Sequence, residues 1–300
     1  MYSLMLLRPF IASTSCILTA NVNNIWAVKR FDMRVLAIGD NCIDDYTELG
    51  KRFPGGNALN VAIYTSRYQD VESDYVGIIG TDDYSNYMLE QIQKNGLDTQ
   101  YIIREPGLTA VTKILIRNGD RVFADYIEGV QKDAKLPYDK IPDPDNYDLL
   151  HFTVWGFGRE HVQKLSQTSK ALLSCDFSSQ IEDPRTEILP YLDLAFFSGS
   201  HLIKKGLDPE PVLRQLKERT KGTAVMTLGE YGSMVYDGEK IYKGNALPVD
   251  VVDTLGAGDS YIAAYLCSKL QGKSIQESIE EGHRAATETC KRLGGWGGES

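Results

Sequence analysis

The stretch from Val251 to Leu270 places three small residues and a carboxylate where a helix is predicted to begin. Gly256, Ala257 and Gly258 would leave the first backbone amides of that helix free, and free amides at a helix N-terminus attract anions. Asp259 follows directly, although a carboxylate would repel a phosphate bound there. Its position is explained if it accepts a proton from a hydroxyl group that attacks the phosphate. Taken alone, the pattern is more typical of an ordinary helix capped by an aspartate.

A second glycine-bearing turn follows a predicted strand, in the sequence TLGEYGS from Thr227 to Ser233. Because glycine lets the backbone approach a ligand closely, Gly229 and Gly232 suit a turn that lies against the phosphates of a nucleotide. A plain hairpin turn would also explain this segment when it is considered by itself.

The third glycine-bearing stretch is RFPGGNALNVA, from Arg52 to Ala62, and its glycine pair opens a predicted helix that Asn57 can cap. Together with Gly39 and Asp40, this stretch can line a pocket of short polar groups for the hydroxyls of a sugar. Asp40 alone could equally be an ordinary residue at the end of a strand.

Alternating strands and helices are predicted to position these segments. Apolar runs predict strands at Arg34 to Asp40, Ser73 to Gly80, Leu149 to Val154, Ala171 to Phe177, Leu192 to Ser198, Thr223 to Leu228 and Ser233 to Asp237. Helices are predicted at Asn57 to Tyr68, Asp82 to Gly96, Gly258 to Lys269 and Ile275 to Arg292. This alternation predicts an α/β domain of three layers, with a mostly parallel central sheet flanked by helices.

The segment from Thr109 to Gly129 interrupts this alternation, because two predicted strands flank Asn118-Gly119, a strong hairpin signal. We expect this hairpin and strands around residues 41–53 to form a small β lid. A lid would exclude water from a phosphate-transfer reaction. Its exposed strand edges could be covered by a second subunit, so a homodimer through the lid is a further expectation.

The composition is that of a soluble globular protein, with 300 residues of which 42% are hydrophobic and 24% charged. A net charge of -9 without a basic block argues against nucleic acid as the main partner. No apolar run reaches the roughly 20 residues that a membrane helix needs. The five cysteines are widely spaced and lack a C-x-x-C pair, which predicts reduced thiols in the cytoplasm.

The first 32 residues differ from the rest of the chain, because they begin with the apolar, acid-free string MYSLMLLRPFIASTSCILTA. A signal peptide is one interpretation, but Arg8 and Pro9 interrupt the apolar run early. We favour an extension outside the fold, or the product of an upstream start. Met33 lies directly before the first clear strand, so a single domain is predicted over residues 33–300.

Together and in this order, the three glycine-bearing motifs resemble those of the ribokinase or PfkB family of carbohydrate kinases. The run DTLGAGD, from Asp253 to Asp259, is highly specific, and GGNALNVA is moderately so. The resemblance implies a ribokinase-like fold and ATP-dependent phosphorylation of a sugar hydroxyl with Mg²⁺. It implies a base at Asp259 with an anion hole at Gly256, Ala257 and Gly258, ATP contacts at Thr227, Gly229, Gly232, Asp253 and Thr254, and sugar contacts at Asp40, Gly55, Gly56, Asn57 and Asn60.

The sequence is most similar to one branch of that family, the fructoselysine 6-kinases, which are fructosamine kinases of the bacterial type. The supporting strings are IGDNCID, FPGGNALNVAIY, GDRVFADYIEGV, DTLGAGDSYIAAYLC and LGGW. The hairpin string weighs most, because it is not general to the family. This similarity implies the 6-hydroxyl of fructoselysine or a related fructosamine as the acceptor. The cation of such a substrate needs an acid or an aromatic face; the candidates are Asp45, Glu48, Asp125, Glu128 and Trp155.

The chain departs from the family pattern at two places. Many relatives carry an N-x-x-E run that helps to order metal-bound water, whereas this chain reads SGSH from Ser198 to His201. The metal ligands are therefore unassigned; either phosphates and water hold the metal, or Asp176 or another acid contributes. Some relatives also place a carboxylate in the sugar pocket where this chain reads HFTVWG, from His151 to Gly156.

Three other functions compete with this interpretation of the sequence. A sibling kinase for fructose, ribose, 2-keto-3-deoxygluconate or a nucleoside would share all of these motifs. A catalytically silent sugar-binding regulator on the same scaffold is an alternative of another class, because a fold does not determine function. A nicotinamide-dependent oxidoreductase is disfavoured, because the first strand runs into GDNCID and not into G-x-G-x-x-G.

Overall fold

The structure, a computed structural model, describes residues 17–19, 27–29, 33–117 and 120–296. Strands β1 (Ile17–Thr19) and β2 (Ala27–Lys29) pair antiparallel in a sheet of their own. The rest of the predicted extension over residues 1–32 and the predicted turn at residues 118–119 lie outside the described residues.

A sheet of nine strands forms the centre of the fold. From edge to edge its strands are β15 (Ile241–Gly244), β14 (Ser233–Tyr236), β13 (Thr223–Thr227), β12 (Leu194–Ser198), β11 (Leu172–Asp176), β10 (Leu149–Thr153), β3 (Met33–Ile38), β6 (Val71–Ile79) and β7 (Ile102–Arg104). All pairings from β13 to β7 are parallel, whereas β14 pairs antiparallel with both of its neighbours. The mostly parallel central sheet predicted from the sequence is confirmed.

Helices cover both faces of this sheet. Four helices pack on one face: α1 (Asn57–Ser66), α2 (Asp83–Lys94), α6 (Ala257–Leu270) and α7 (Ile275–Thr289). Three pack on the other: α3 (Val162–Thr168), α4 (Ser200–Lys204) and α5 (Pro209–Arg219). A separate apolar core fills each interface, which explains why strands such as β3 read as continuous apolar runs. The three-layer α/β architecture is therefore confirmed.

A second, smaller sheet has four strands, in the order β5 (Lys51–Gly55), β4 (Cys42–Tyr46), β8 (Val111–Arg117) and β9 (Asp120–Ile127). Strands β8 and β9 pair antiparallel, as the hairpin pattern predicts. Tyr46, Phe53 and Ile114 are buried in this sheet and pack against Leu255 and Leu293. The small sheet thus contacts the segments that precede α6 and follow α7.

Three adjacent parallel strands bring polar residues to one edge of the large sheet. Strand β3 is followed by Asp40, whereas β10 ends at Thr153 and β11 ends at Asp176. Because β10 pairs with both β3 and β11, the carboxyl ends of these strands are neighbours. This is the edge at which α/β proteins usually bind ligands. None of the helices in the described ranges is long and apolar enough to cross a bilayer.

Candidate active site

The first turn of α6 leaves two of the three predicted backbone amides free, and the prediction fails for Ala257. Gly256 precedes the helix with a φ of 74°, a conformation that favours glycine. The amide of Ala257 donates to the carbonyl of Thr254 at 3.2 Å, whereas among the described residues the amides of Gly256 and Gly258 have no acceptor. A Cβ atom at Gly258 would meet no atom within 4 Å. The helix therefore begins at open space, with two unpaired amides that could bind an anion.

Asp259 lies in this first helical turn, and its side chain is buried. Its Oδ2 accepts a hydrogen bond of 2.6 Å from Nδ2 of Asn60, which lies on α1. Burial raises the pKa of Asp259 well above its usual range, the Asn60 hydrogen bond opposes that shift, and the carboxylates of Asp176, Asp40 and Asp44 add to it. A carboxylate with a raised pKa is a stronger base, which suits proton abstraction near neutral pH.

The Asp40 carboxylate lies at the N-terminus of α1. Its Oδ2 accepts from the amide of Asn57 at 2.7 Å, and its Oδ1 accepts from the hydroxyl of Thr153 and from the amide of Ala58. The prediction that Asn57 caps this helix is wrong, because Gly56 is the N-cap residue and Asn57 is the first helical residue. Asp40 supplies the capping oxygen from the end of the neighbouring strand instead.

The side chain of Asn57 is consequently free to point toward the sheet. Its Nδ2 donates to Oδ2 of Asp176 at 2.9 Å, while Oδ1 of Asp176 accepts from the amide of Ser178 at 2.8 Å. Burial raises the pKa of Asp176 to about 6, against the effect of these two hydrogen bonds. Asn57 therefore links α1 to an acid that the sequence reasoning did not place beside the sugar.

The glycine pair before α1 is required by close packing. A Cβ atom at Gly56, where φ is 105°, would lie 2.4 Å from Cα of Asn41. A Cβ atom at Gly55 would lie 2.0 Å from Oδ2 of Asp44, which is buried in the small sheet. Because Gly55 has no side chain, there is room beside it for the carboxylate of Asp44, the fourth acid of the site. Sequence reasoning did not assign Asp44 to the site. The available signal was its position on β4, the strand that pairs with the one ending at Gly55.

The predicted nucleotide turn follows β13. Thr227 ends that strand, and its hydroxyl donates to the carbonyl of Phe197 at 3.3 Å. Gly229 and Gly232 both have positive φ angles, of 63° and 93°. A Cβ atom at Gly232 would lie 2.0 Å from the carbonyl oxygen of Gly244, so packing against the end of β15 already requires this glycine. A Cβ at Gly229 would make only an ordinary contact, which leaves its surroundings more open.

The sequence predicts that Asp253 contacts the nucleotide, and the structure gives its buried carboxylate partners within the protein. Oδ2 accepts from the Tyr46 hydroxyl at 2.5 Å and from the Gly294 amide at 3.0 Å, and Oδ1 accepts from the Leu255 amide at 3.0 Å. These bonds join the small sheet, the loop before α6 and the segment after α7. The contact of Asp253 and the neighbouring Thr254 with a nucleotide stays a prediction.

Among the candidates for binding a substrate cation, Asp45 lies on β4, Asp125 on β9 and Trp155 shortly after β10. Asp45 forms an ion pair with Arg52 and Asp125 with Lys113, and the exposed ring of Trp155 lies beneath the guanidinium of Arg185. No three or more side chains of His, Cys, Asp or Glu converge as a metal site within the ranges that the structure describes.

Comparison with known proteins adds independent findings. The chain matches the model of the pfkB family of carbohydrate kinases over residues 44–297. It is 36% identical to the fructoselysine 6-kinase of Escherichia coli strain K12, over 88% of this chain and 100% of that protein. A fructosamine kinase of Bacillus subtilis strain 168 is 32% identical, over 88% and 93%.

Solved structures of similar fold include two ribokinases. That of Thermotoga maritima has a TM-score of 0.72 at 21% identity, over 88% of this chain and 94% of that one. The Arabidopsis thaliana ribokinase, complexed with ribose and ATP, has a TM-score of 0.73 at 17% identity, over 89% and 95%. These likenesses concern the fold, and they agree with a large parallel sheet accompanied by a smaller one.

Proposed function

Because the chain belongs to the pfkB family of carbohydrate kinases, we propose that it transfers the γ-phosphoryl group of ATP to the 6-hydroxyl of fructoselysine or a related fructosamine. The position of Asp259 carries this proposal, since a buried carboxylate lies one residue beyond the unpaired amide of Gly258. The names of the Escherichia coli and Bacillus subtilis relatives support the substrate class.

In the proposed reaction, a carboxylate oxygen of Asp259 accepts the proton of the sugar hydroxyl. The hydroxyl oxygen then forms a bond to the γ-phosphorus while the bond from that phosphorus to the β-γ bridging oxygen breaks, and ADP leaves. The amides of Gly256 and Gly258 would stabilise negative charge on the phosphoryl oxygens. One such donor typically contributes about 3 kcal/mol to the barrier. The amide of Ala257 already donates to the carbonyl of Thr254, so Ala257 would mainly leave room for the phosphate through its small side chain.

The two substrates would occupy opposite sides of this helix end. We assign the sugar side to the residues between β3 and α1, namely Asp40, Gly55, Gly56 and Asn57. The nucleotide side would be formed by Thr227, Gly229, Gly232, Asp253 and Thr254. Asp40 and Asn57 have part of their hydrogen-bonding capacity used within the protein, which orients them and leaves their remaining lone pairs and N–H groups for sugar hydroxyls.

Mg²⁺ is proposed as the cofactor that enters with ATP. The described residues hold no converging set of three ligating side chains, which fits an ion held chiefly by phosphate oxygens and water. When bound, the ion neutralises phosphate charge in a site that already holds several carboxylates. The chain itself contributes the orientation of the phosphates through backbone amides.

A coupled ADP-release assay tests the proposal, with fructoselysine, fructose and ribose compared side by side at equal concentrations. We expect fructoselysine to give the highest kcat/KM. Higher kcat/KM on fructose or ribose would identify a sibling kinase. ADP release that no sugar stimulates, together with measurable sugar binding, would identify a silent regulator and contradict the proposed activity.

At the scale of the whole molecule, we propose a homodimer that pairs through the small sheet, in the cytoplasm. Tyr126 and Ile127 on β9 are exposed, so an apolar part of this sheet is available to a second copy. Cys42, Cys175 and Cys267 are buried thiols, which suits a reducing compartment. Light scattering at micromolar concentration should give twice the chain mass; a monomer would reject the dimer.

A further inference from the structure

The segment that follows α7 packs beneath the candidate active site, on the side of α1. Trp296 is 2% exposed and belongs to the core on the α1 and α6 face of the sheet. Two side chains of α1 hold this segment: the Tyr64 hydroxyl donates to the carbonyl of Gly295 at 2.6 Å, and Arg67 donates to the carbonyl of Trp296 at 2.7 Å. Trp296 is thereby placed beneath the helix that carries Asn60.

A continuous chain of hydrogen bonds leads from this indole to the proposed base. Nε1 of Trp296 donates to Oδ1 of Asn60 at 2.7 Å, and Nδ2 of Asn60 donates to Oδ2 of Asp259 at 2.6 Å. Asn60 is 3% exposed and Asp259 8%, so water competes little for these bonds. Hydrogen bonds in such surroundings are stronger than on the surface.

The indole determines which way the amide of Asn60 faces. An indole N–H can only donate, so its partner must be the carbonyl oxygen of the amide, and the NH₂ group must face the other way. That direction leads to Asp259. If the indole N–H were absent, the amide could rotate by half a turn and present its oxygen to the carboxylate, which is a repulsive arrangement.

We propose that Trp296 and Asn60 are positioning residues that hold Oδ2 of Asp259 and leave Oδ1 to receive the proton of the sugar hydroxyl. This inference rests on the proposed function of Asp259. It also gives Asn60 a different role from the sugar contact that the sequence implies. Within the described residues Asn60 is the one side-chain donor to Asp259, and it contacts Oδ2. This supports separate roles for the two oxygens, with Oδ2 held by Asn60 and Oδ1 left for the proton.

The first test is Trp296→Phe, which removes the N–H and keeps an aromatic ring in the core. Without the indole, the Asn60 amide is no longer held toward Asp259. We expect kcat to fall about tenfold, the lower end of the cost of losing the hydrogen bond from Asn60 to the charged Asp259, with the KM for sugar within about twofold. Because the bond from Asn60 lowers the pKa of Asp259, rotation of the released amide away from Asp259 should raise that pKa and move the acid limb of the kcat profile to higher pH.

Tyr64→Phe is the matched control. It removes one buried hydrogen bond to the same segment, at Gly295, without touching the chain of bonds to Asp259. Both Tyr64→Phe and Trp296→Phe should lower the melting temperature, but Tyr64→Phe should leave the acid limb in place. An equal shift of the limb in both variants would mean that general loosening of the segment, and not the indole N–H, is responsible, and would overturn the proposal.

Asn60→Leu separates positioning from sugar binding. If Asn60 acts through Asp259, this variant should show the same direction of limb shift, and the double variant with Trp296→Phe should be no worse than Asn60→Leu alone, because both remove one pathway. A rise in the KM for sugar specific to Asn60→Leu, with additive losses in kcat, would return Asn60 to the sugar site and overturn the proposal.

A titration that needs no turnover distinguishes failure of this inference from failure of the proposed function. The ¹³C resonance of the Asp259 carboxyl, assigned by its loss in Asp259→Asn, can be followed against pH in the parent and in Trp296→Phe. An upward pKa shift in Trp296→Phe is expected whichever sugar is the substrate. An unshifted titration would sink the inference even if fructoselysine proved to be phosphorylated.

Discussion

At the scale of the residue, the site depends on a carboxyl group, that of Asp259, whose ionisation is unfavourable because it is buried. Asp259 is buried near three other acids, Asp40, Asp44 and Asp176, and all three disfavour its charged form. Such an arrangement destabilises the folded protein when no substrate is bound, because buried like charges repel each other. It is typical of functional sites, where a raised pKa turns a weak carboxylate base into an effective one.

Replacing the base tests its role directly. Asp259→Asn keeps the size and the neighbour Asn60, but it cannot accept the proton of the attacking hydroxyl. Turnover should fall at least about 10²-fold, the ordinary contribution of a general base, while ATP binding stays nearly unchanged. Steady-state kinetics and calorimetric titration with ATP measure the two quantities. Turnover within a few-fold of the parent would remove Asp259 from the mechanism.

The neighbouring acid should tune the base. Asp176 raises the pKa of Asp259, so Asp176→Asn should lower that pKa and move the acid limb of the kcat profile to lower pH. The direction is opposite to that expected for Trp296→Phe, which makes the pair informative. Activity between pH 5 and 9 measures the limb; a shift to higher pH in Asp176→Asn would contradict this account of the electrostatics.

Two neighbouring glycines should respond differently to the same substitution. Gly258→Ala meets open space within the helix, so the protein should be stabilised by about 0.5–1 kcal/mol. The added methyl group would nevertheless lie where the phosphate is expected, and kcat/KM for ATP should fall at least about tenfold. Urea unfolding and kinetics give both numbers.

Gly256→Ala is the contrasting variant. Its positive φ disfavours alanine by about 1–2 kcal/mol, and the new Cβ would lie 2.9 Å from the Tyr64 hydroxyl. It should therefore lose stability as well as activity. If Gly258→Ala kept full activity, the anion site at this helix end would be rejected.

Sequence patterns identify Asp259 and the glycines but not their partners. Small residues before an aspartate are visible as a pattern, because free amides depend on local chain geometry alone. The pairing of Asn60 with Asp259, and of Asn57 with Asp176, depends on how α1 is rotated against α6 and the sheet. The Asp40 cap from another strand is equally invisible, since it joins residues that are neighbours only in the folded chain.

At the scale of the element, one carboxylate joins three parts of the chain. Asp253 receives the Tyr46 hydroxyl from the small sheet and the Gly294 amide from the segment after α7, just before the first turn of α6. Movement of the small sheet would therefore displace Asp253 and, through it, the first turn of α6 that carries Asp259. Hydrogen bonds to a charged acceptor are among the stronger ones in proteins, so this one can couple the two elements.

Tyr46→Phe measures this connection. Tyr46 is buried and its acceptor is a carboxylate, so we expect a loss of about 1.5–3 kcal/mol in the free energy of unfolding. Hydrogen exchange should increase in β4 and at the start of α6. Tyr236→Phe is the control, because its exposed hydroxyl donates to the carbonyl of Gly238, and it should change stability by less than about 0.5 kcal/mol. Equal losses in both variants would argue against a special link.

The strands at the core of the large sheet can be predicted from the sequence, whereas the short strands at its edges cannot. Long apolar runs predict β3, β6 and β10 to β13, because parallel strands are buried on both faces. Strands β7 and β15 have three and four residues, lie at the two edges and alternate weakly, so the sequence analysis predicts neither. The two strands around residues 41–53 appear as β4 and β5, although Asp44 and Asp45 interrupt any apolar alternation there.

At the scale of the whole molecule, the two larger sheets are built from residues of Met33 onward. Strand β3 lies between β6 and β10 within the large sheet, whereas β1 and β2 pair with each other in a separate sheet. The match to the family model likewise falls within residues 44–297. We therefore retain the prediction that residues 1–32 are an extension outside the kinase fold.

A variant that begins at Met33 puts this prediction to the test. Because it keeps every strand of the two larger sheets, its melting temperature should stay within about 2 °C of the parent, the range expected for changes outside a core. Its turnover should be unchanged. A variant that begins at Cys42 is the control: it lacks β3 and the Asp40 cap of α1, so it should fail to fold. If the Met33 variant also unfolded, the first 32 residues would have to be counted as part of the domain, since loss of a segment outside the core cannot remove cooperative folding.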